Sequence, residues 1–126
     1  MPPKFQELLE VPKLTESVRG WHQYNREAIK AGNFWLSIQA SATQYCQPRE
    51  NGLDNADYYK WEVALFEQCP WNSEQPWVNP KHDKRFEGLG CLLSWESDPE
   101  VGVGAGVPSE CVQALFERCL ALTEGK

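Results

Sequence analysis

The stretch EVGVGAGVPSEC, at residues 100–111, contains the residues of this chain that are most typical of a phosphate site. Its three glycines alternate with small apolar residues, and Pro108 and Ser109 then predict the start of a helix. Glycine-rich turns that lead into a helix N-terminus bind phosphate in many proteins, because the backbone N–H groups there can donate to the anion. The stretch therefore raises the question of whether the chain binds a nucleotide.

The spacing of these glycines argues against a nucleotide site. Gly102, Gly104 and Gly106 fit neither the G-x-G-x-x-G fingerprint nor the G-x-x-x-x-G-K phosphate loop. Four carboxylates near the stretch would repel a phosphate: Glu96, Asp98, Glu100 and Glu110. We instead predict a strand whose glycine face lets a backbone, a helix or a ring approach closely, with an anion site at the helix start as the alternative.

The cysteines supply thiols but no complete catalytic or metal-binding set. The chain has five of them, with no C-x-x-C pair: Cys46, Cys69, Cys91, Cys111 and Cys119. Only two histidines accompany them, so we predict no metal site. Cys46 lies in a polar loop and is the thiol that we expect to be most accessible. A Cys46–His82 dyad is not favoured, because any cysteine and histidine of a chain can be paired on paper. The HDKR run at 82–85 is either an acid–base pair or, as we prefer, a solvated turn.

Aromatic and polar residues in the loops give the strongest functional signal. Tyrosine, tryptophan and arginine are the residue types that most often anchor protein interfaces, and six tryptophans are many for 126 residues. The alternative is that these rings fold back over the ends of a sheet as part of a small core. The residues predicted to bind a partner are Tyr45, Arg49, Tyr59, Trp71, Trp77 and His82.

Helices are predicted at both ends of the chain. Residues 14–31 place apolar side chains at helical spacing, with Arg19, Arg26 and Lys30 together on the outer face, where they form either a basic docking row or a merely solvated surface. Residues 109–123 form the second helix, with Ser109 as its N-cap. Its apolar stripe consists of Cys111, Val112, Leu115, Phe116, Cys119 and Leu122.

Strands are predicted between the two helices. One-sided alternation of apolar residues marks four segments: 34–41, 58–68, 90–97 and 101–107. Sequential, hairpin-linked strands favour antiparallel pairing. The prediction is a single α+β domain over 1–126, in which an N-terminal and a C-terminal helix pack on a mostly antiparallel four-stranded sheet.

Charge and composition exclude several classes of partner. The net charge of −6 and the pI of about 4.9 argue against DNA or RNA as the main partner. No apolar run reaches membrane-spanning length, and the first residues lack the apolar region of a secretory signal. We therefore expect a cytoplasmic protein with reduced cysteines, bound neither to nucleic acid nor to a membrane.

Together these features favour a non-enzymatic interaction module that docks on a protein partner or forms a homodimer through its aromatic-rich loops. The alternative is a small-molecule binder, in which a flat aromatic ligand lies in a Trp/Tyr-lined pocket against the strand Gly102–Gly106. No cofactor is predicted. An enzyme is the least favoured class, because no convincing catalytic set is present.

Overall fold

The computed structural model describes residues 4–9, 13–16, 22–40, 46–47, 57–67, 77–89, 95, 97 and 101–124, with the backbone alone at 13–16, 22–25 and 124. It confirms the predicted α+β fold. A short 3₁₀ helix lies at Lys84–Phe86. The other elements are α1 (Phe5–Leu8), β1 (Lys13–Glu16), β2 (His22–Asn25), β3 (Ile29–Ala31), β4 (Phe34–Gln39), β5 (Lys60–Phe66), β6 (Val103–Pro108) and α2 (Ser109–Glu124).

Four strands form one antiparallel sheet in the order β3-β4-β5-β6, and β1 pairs with β2 separately. Strands β4 and β5 fall within predicted strand segments, and β6 extends one residue beyond its segment, to Pro108. The remaining strand of the sheet is β3. Of the predicted strand 90–97, the structure describes Trp95, which forms a single bridge to Gly104, and Ser97; the other residues of that segment lie outside the described part.

The predicted helix 14–31 is wrong, because its described residues form β1, β2, β3 and the segment between β2 and β3. A helix there would carry Gly20 in its interior, at a cost of about 1 kcal/mol. Gly32 has a φ of 64° at the first position of the two-residue turn between β3 and β4. Glycine at this position is typical of a type II′ hairpin turn.

Helix α2 confirms its predicted apolar stripe. Five of its six stripe residues are buried, and Leu122 is partly buried against the core. The Ser109 hydroxyl serves a different purpose from the predicted cap: it accepts a hydrogen bond from Nε1 of Trp61 at 2.9 Å and donates one to the carbonyl of Tyr58 at 3.1 Å. The start of α2 is thereby attached to β5.

The glycine strand packs closely against other parts of the chain, as predicted. A side chain at Gly102 would collide with the carbonyl group of Val78, and one at Gly104 would lie 2.7 Å from the Trp95 ring. The predicted alternation fails at Gly106, which has a φ of 61° and lies where β6 shifts register against β5. That extra residue is typical of a β-bulge, and it explains why Val107 is buried although Ala105 is exposed.

The described cysteines correct two expectations. Cys46 is buried, so it is not an accessible loop thiol. Cys46 and Cys119 are free thiols, as predicted, but Cys111 is disulfide-bonded, so the prediction of reduced cysteines does not extend to it. Burial raises the pKa of the Cys119 thiol to about 12, which keeps it protonated and poorly nucleophilic at neutral pH.

Candidate interaction surface

The sheet has a core face and an outer face. The core face carries residues such as Leu36, Val63 and Leu65, all fully buried. Helix α2 packs on this face, and α1 packs on α2. Within the described part of the chain, both helices therefore lie on the same side of the sheet. The outer face is made of residues that alternate with the core residues and remain partly exposed.

Three aromatic residues line up across one end of this outer face. Trp35 of β4 lies directly opposite Phe66 of β5, and Phe66 forms a bridge to Trp77. Directly opposite residues on neighbouring strands point to the same face. We call Trp35, Phe66 and Trp77 the aromatic row. Lys30 lies opposite Trp35 at the end of the row, with its Nζ 5.9 Å from the centroid of the Trp35 ring.

Trp77 is the most exposed member of the row, with 45% of its surface accessible. Its ring lies 6.5 Å from the ring of Phe66 at an interplanar angle of 44°. The backbone beside it is fixed, because the N–H of Val78 donates to the carbonyl of Leu65 at 2.9 Å. The tryptophan is therefore exposed on a well-anchored backbone, so little ordering would be needed before it contacted a partner.

The turn that follows Trp77 is anchored by a buried asparagine. Asn79 donates from its side-chain amide to the carbonyl of Val101 and accepts from the N–H of Lys81, both at 3.0 Å. The N–H of His82 closes the turn on the carbonyl of Asn79 at 3.1 Å. This turn places His82 on the surface, five residues after Trp77.

An ion-pair cluster fastens the next segment to the end of β5. Arg85 makes two hydrogen bonds of 2.8 Å to the carboxylate of Glu67, the residue after Phe66, and also pairs with Asp83. Hydrogen bonds from Arg85 lower the pKa of Asp83, which keeps that carboxylate ionised. The described segment that follows Trp77 is therefore held by specific contacts.

The predicted binding residues are only partly described, and the described ones do not form one cluster. Tyr45, Arg49 and Trp71 lie outside the described residues. Tyr59 is 56% exposed, and its hydroxyl donates to the side chain of Gln47 at 3.0 Å. Because Tyr59 immediately precedes β5 and Trp77 bridges to its last residue, the two lie at opposite ends of that strand.

Sequence reasoning missed Trp35 and Phe66 as members of the row. The alternation in residues 34–41 places Trp35 on the side of its strand opposite to Phe34 and Leu36. What the sequence does not provide is the register that places Trp35, Phe66 and Trp77 next to one another.

Arg26 contradicts the predicted basic row, because its side chain is only 3% exposed. Its guanidinium lies against two neighbouring aromatic rings, 5.3 Å from the centroid of Tyr58 and 5.4 Å from that of Trp61. Nη1 donates to the carbonyl of Ala40 at 2.7 Å. Burial lowers the pKa of Arg26, while the neighbouring Tyr58 and Cys46 act in the opposite direction. Of the other two members of that row, Lys30 is exposed and Arg19 lies outside the described residues.

The described residues include no cluster of three or more histidine, cysteine, aspartate or glutamate side chains that could hold a metal ion. Among the described helices, none has the length and apolar character needed to cross a membrane. No protein-family model, curated protein or solved structure matches the chain.

Proposed function

We propose that this protein is a non-enzymatic interaction module whose aromatic row docks on a protein partner. The observation that carries the proposal is the alignment of Trp35, Phe66 and Trp77 on the sheet face opposite to both described helices. Aromatic side chains bring a large contact area with few rotatable bonds, which is why they dominate the binding energy of many interfaces.

The fixed position of Trp77 supports the proposal. Its backbone is bonded to β5, and Asn79 and Arg85 anchor the chain that follows. A surface that is already ordered loses less conformational entropy on binding than a mobile loop. The proposed partner has an apolar patch to cover the rings and a carboxylate to approach Lys30 at the end of the row.

A second copy of the chain is the alternative occupant, and the cytoplasmic location predicted from the sequence stays a prediction. The pocket predicted against Gly102–Gly106 has less support. The glycine side of Gly102 is filled by the Val78 backbone, and that of Gly104 by the Trp95 ring. A flat ligand would have to displace these groups before it could lie against Gly102 or Gly104.

Trp77→Ala tests the proposal directly. We expect it to weaken association about tenfold or more, since an aromatic anchor of an interface contributes roughly 2 kcal/mol or more. We expect the free energy of unfolding to fall by no more than about 1 kcal/mol, because the side chain is partly exposed. Sedimentation equilibrium measures self-association, and quantitative affinity capture from an extract of the source cells measures a partner.

Lys84→Ala is the matched control, since Lys84 is exposed in the 3₁₀ helix and lies outside the row. It should associate like the unmodified protein. If Trp77→Ala associates as well as Lys84→Ala in both assays, the aromatic row is not a docking surface and the proposal fails.

A further inference from the structure

The outer edge of β3 presents backbone groups to a possible additional strand. The two-residue turn at Gly32 makes Ala31 and Phe34 the hydrogen-bonded pair that closes the hairpin. The next pair, Lys30 with Trp35, is then a non-hydrogen-bonded pair, because the two kinds alternate in an antiparallel ladder. The N–H and C=O of Lys30 therefore point away from β4.

These groups of Lys30 lie at the edge of the sheet. Strand β3 is the first in the order β3-β4-β5-β6, and within the described part of the chain no residue donates to or accepts from them. An extended segment placed beside β3 could therefore continue the ladder, as in other complexes that form by strand addition.

A hollow of about 270 Å³ adjoins this edge, lined by Leu8, Glu27, Ala28, Ile29 and Lys30. Leu8 is a large apolar residue that is 41% exposed. In a strand beside β3, the residues flanking the one opposite Lys30 would point to the core side, where Ile29 lies. An aliphatic side chain at such a position would bury the exposed surface of Leu8.

Charge decides between a second copy and a different partner. The residue opposite the exposed Lys30 is stabilising when it is acidic and destabilising when it is basic. Two copies of β3 paired edge to edge about a two-fold axis would place Lys30 opposite either another Lys30 or Ala28. Neither arrangement supplies a carboxylate, so the edge fits another sequence better than its own.

We propose that the outer edge of β3, which is unpaired within the described residues, is a strand-addition site for an extended peptide segment with the pattern aliphatic–acidic–aliphatic. The acidic residue lies opposite Lys30, and one of its aliphatic neighbours occupies the hollow beside Leu8. The site shares Lys30 with the proposed docking surface but does not involve Trp77. Its test follows the amide shifts of residues 27–31, so this proposal can fail while Trp77→Ala still weakens association, and the reverse.

The first test reverses the charge at position 30 of the protein and at the central residue of a peptide. ¹⁵N-labelled unmodified protein and Lys30→Glu are each titrated with two peptides, Ac-Thr-Val-Glu-Val-Thr-NH₂ and Ac-Thr-Val-Lys-Val-Thr-NH₂. The glutamate peptide should bind the unmodified protein, with amide shifts centred on residues 27–31. Lys30→Glu should weaken that binding about fivefold or more and should bind the lysine peptide better. Lys84→Glu, an equal change of charge at another exposed site, should bind like the unmodified protein.

The second test compares Lys30→Pro with Lys30→Ala, because both variants lose the ammonium group and only the proline also loses the outward N–H. Proline is tolerated on an edge strand when its missing N–H faces solvent, and we expect a folded protein that binds the glutamate peptide about fivefold less tightly than Lys30→Ala does. If Lys30→Pro does not fold, the charge reversal still decides. The proposal is overturned if the glutamate peptide gives no saturable binding, if its shifts map away from residues 27–31, or if Lys30→Glu prefers the same peptide as the unmodified protein.

Discussion

We expect Trp61→Ala to lower the free energy of unfolding by about 3–5 kcal/mol. Trp61 is fully buried, with Phe5 packed edge-on at a centroid distance of 5.5 Å and Tyr58 at 5.3 Å. It also donates to the Ser109 hydroxyl at the start of α2. One side chain therefore connects α1, β5 and α2, and its removal leaves a cavity in contact with all three.

Urea unfolding measures this effect. Trp61→Phe separates the contribution of the ring from that of the hydrogen bond, and Trp77→Ala is the control at a surface tryptophan. Trp61→Phe should lower the free energy of unfolding by less than Trp61→Ala, because phenylalanine keeps much of the buried ring. The loss that remains includes the hydrogen bond to Ser109. Trp77→Ala should cost no more than about 1 kcal/mol, since Trp77 is partly exposed. Equal losses for Trp61→Ala and Trp77→Ala would contradict the assignment of one tryptophan to the core and the other to the surface.

We expect Arg26→Ala to lower the free energy of unfolding by about 3 kcal/mol or more. The substitution removes a charged donor from the carbonyl of Ala40 and two cation–π contacts, and it opens a cavity beside Tyr58 and Trp61. The backbone of the same residue is held by Gln39, whose side chain accepts from its N–H at 2.7 Å and donates to its carbonyl at 2.6 Å.

Lys30→Ala is the matched control for Arg26→Ala, because the predicted helix placed both residues on one solvated face. Lys30 is exposed, so its truncation should change the free energy of unfolding by less than about 0.5 kcal/mol. The comparison uses urea unfolding under identical conditions. A loss for Arg26→Ala as small as that for Lys30→Ala would show that the buried guanidinium contributes little to stability.

The sequence predicts an element correctly where its apolar residues repeat with a single period, either that of a helix or that of a strand. The stripe of α2 and the alternation of β4 each have a single period, and both are confirmed. Residues 14–31 also show helical spacing, but the described residues there form short strands. In this segment, pairing with neighbouring strands outweighs the helical spacing of the apolar residues. That pairing depends on residues distant in sequence, so no local pattern predicts it.

The candidate interaction surface is harder to predict, because it depends on strand register. Trp77 was identified from its residue type and its polar surroundings. Trp35 and Phe66 join it only through the pairing of β4 with β5 and the bridge at Phe66. The same limit explains Arg26. Helical spacing placed its side chain on a solvent-facing surface, but in the structure the side chain packs against the rings of Tyr58 and Trp61, which are distant in sequence.

The most direct test of docking through the aromatic row is site-specific photo-cross-linking. Trp77 is replaced by p-benzoylphenylalanine, which keeps an aromatic group in the row, and a control carries it at the exposed Glu87. Irradiation is carried out under the conditions in which the unmodified protein associates. We predict a covalent adduct with the partner, or with a second copy, from position 77 and little from position 87. Equal yields at the two positions, or no adduct from position 77 in a folded protein, would contradict docking through this surface.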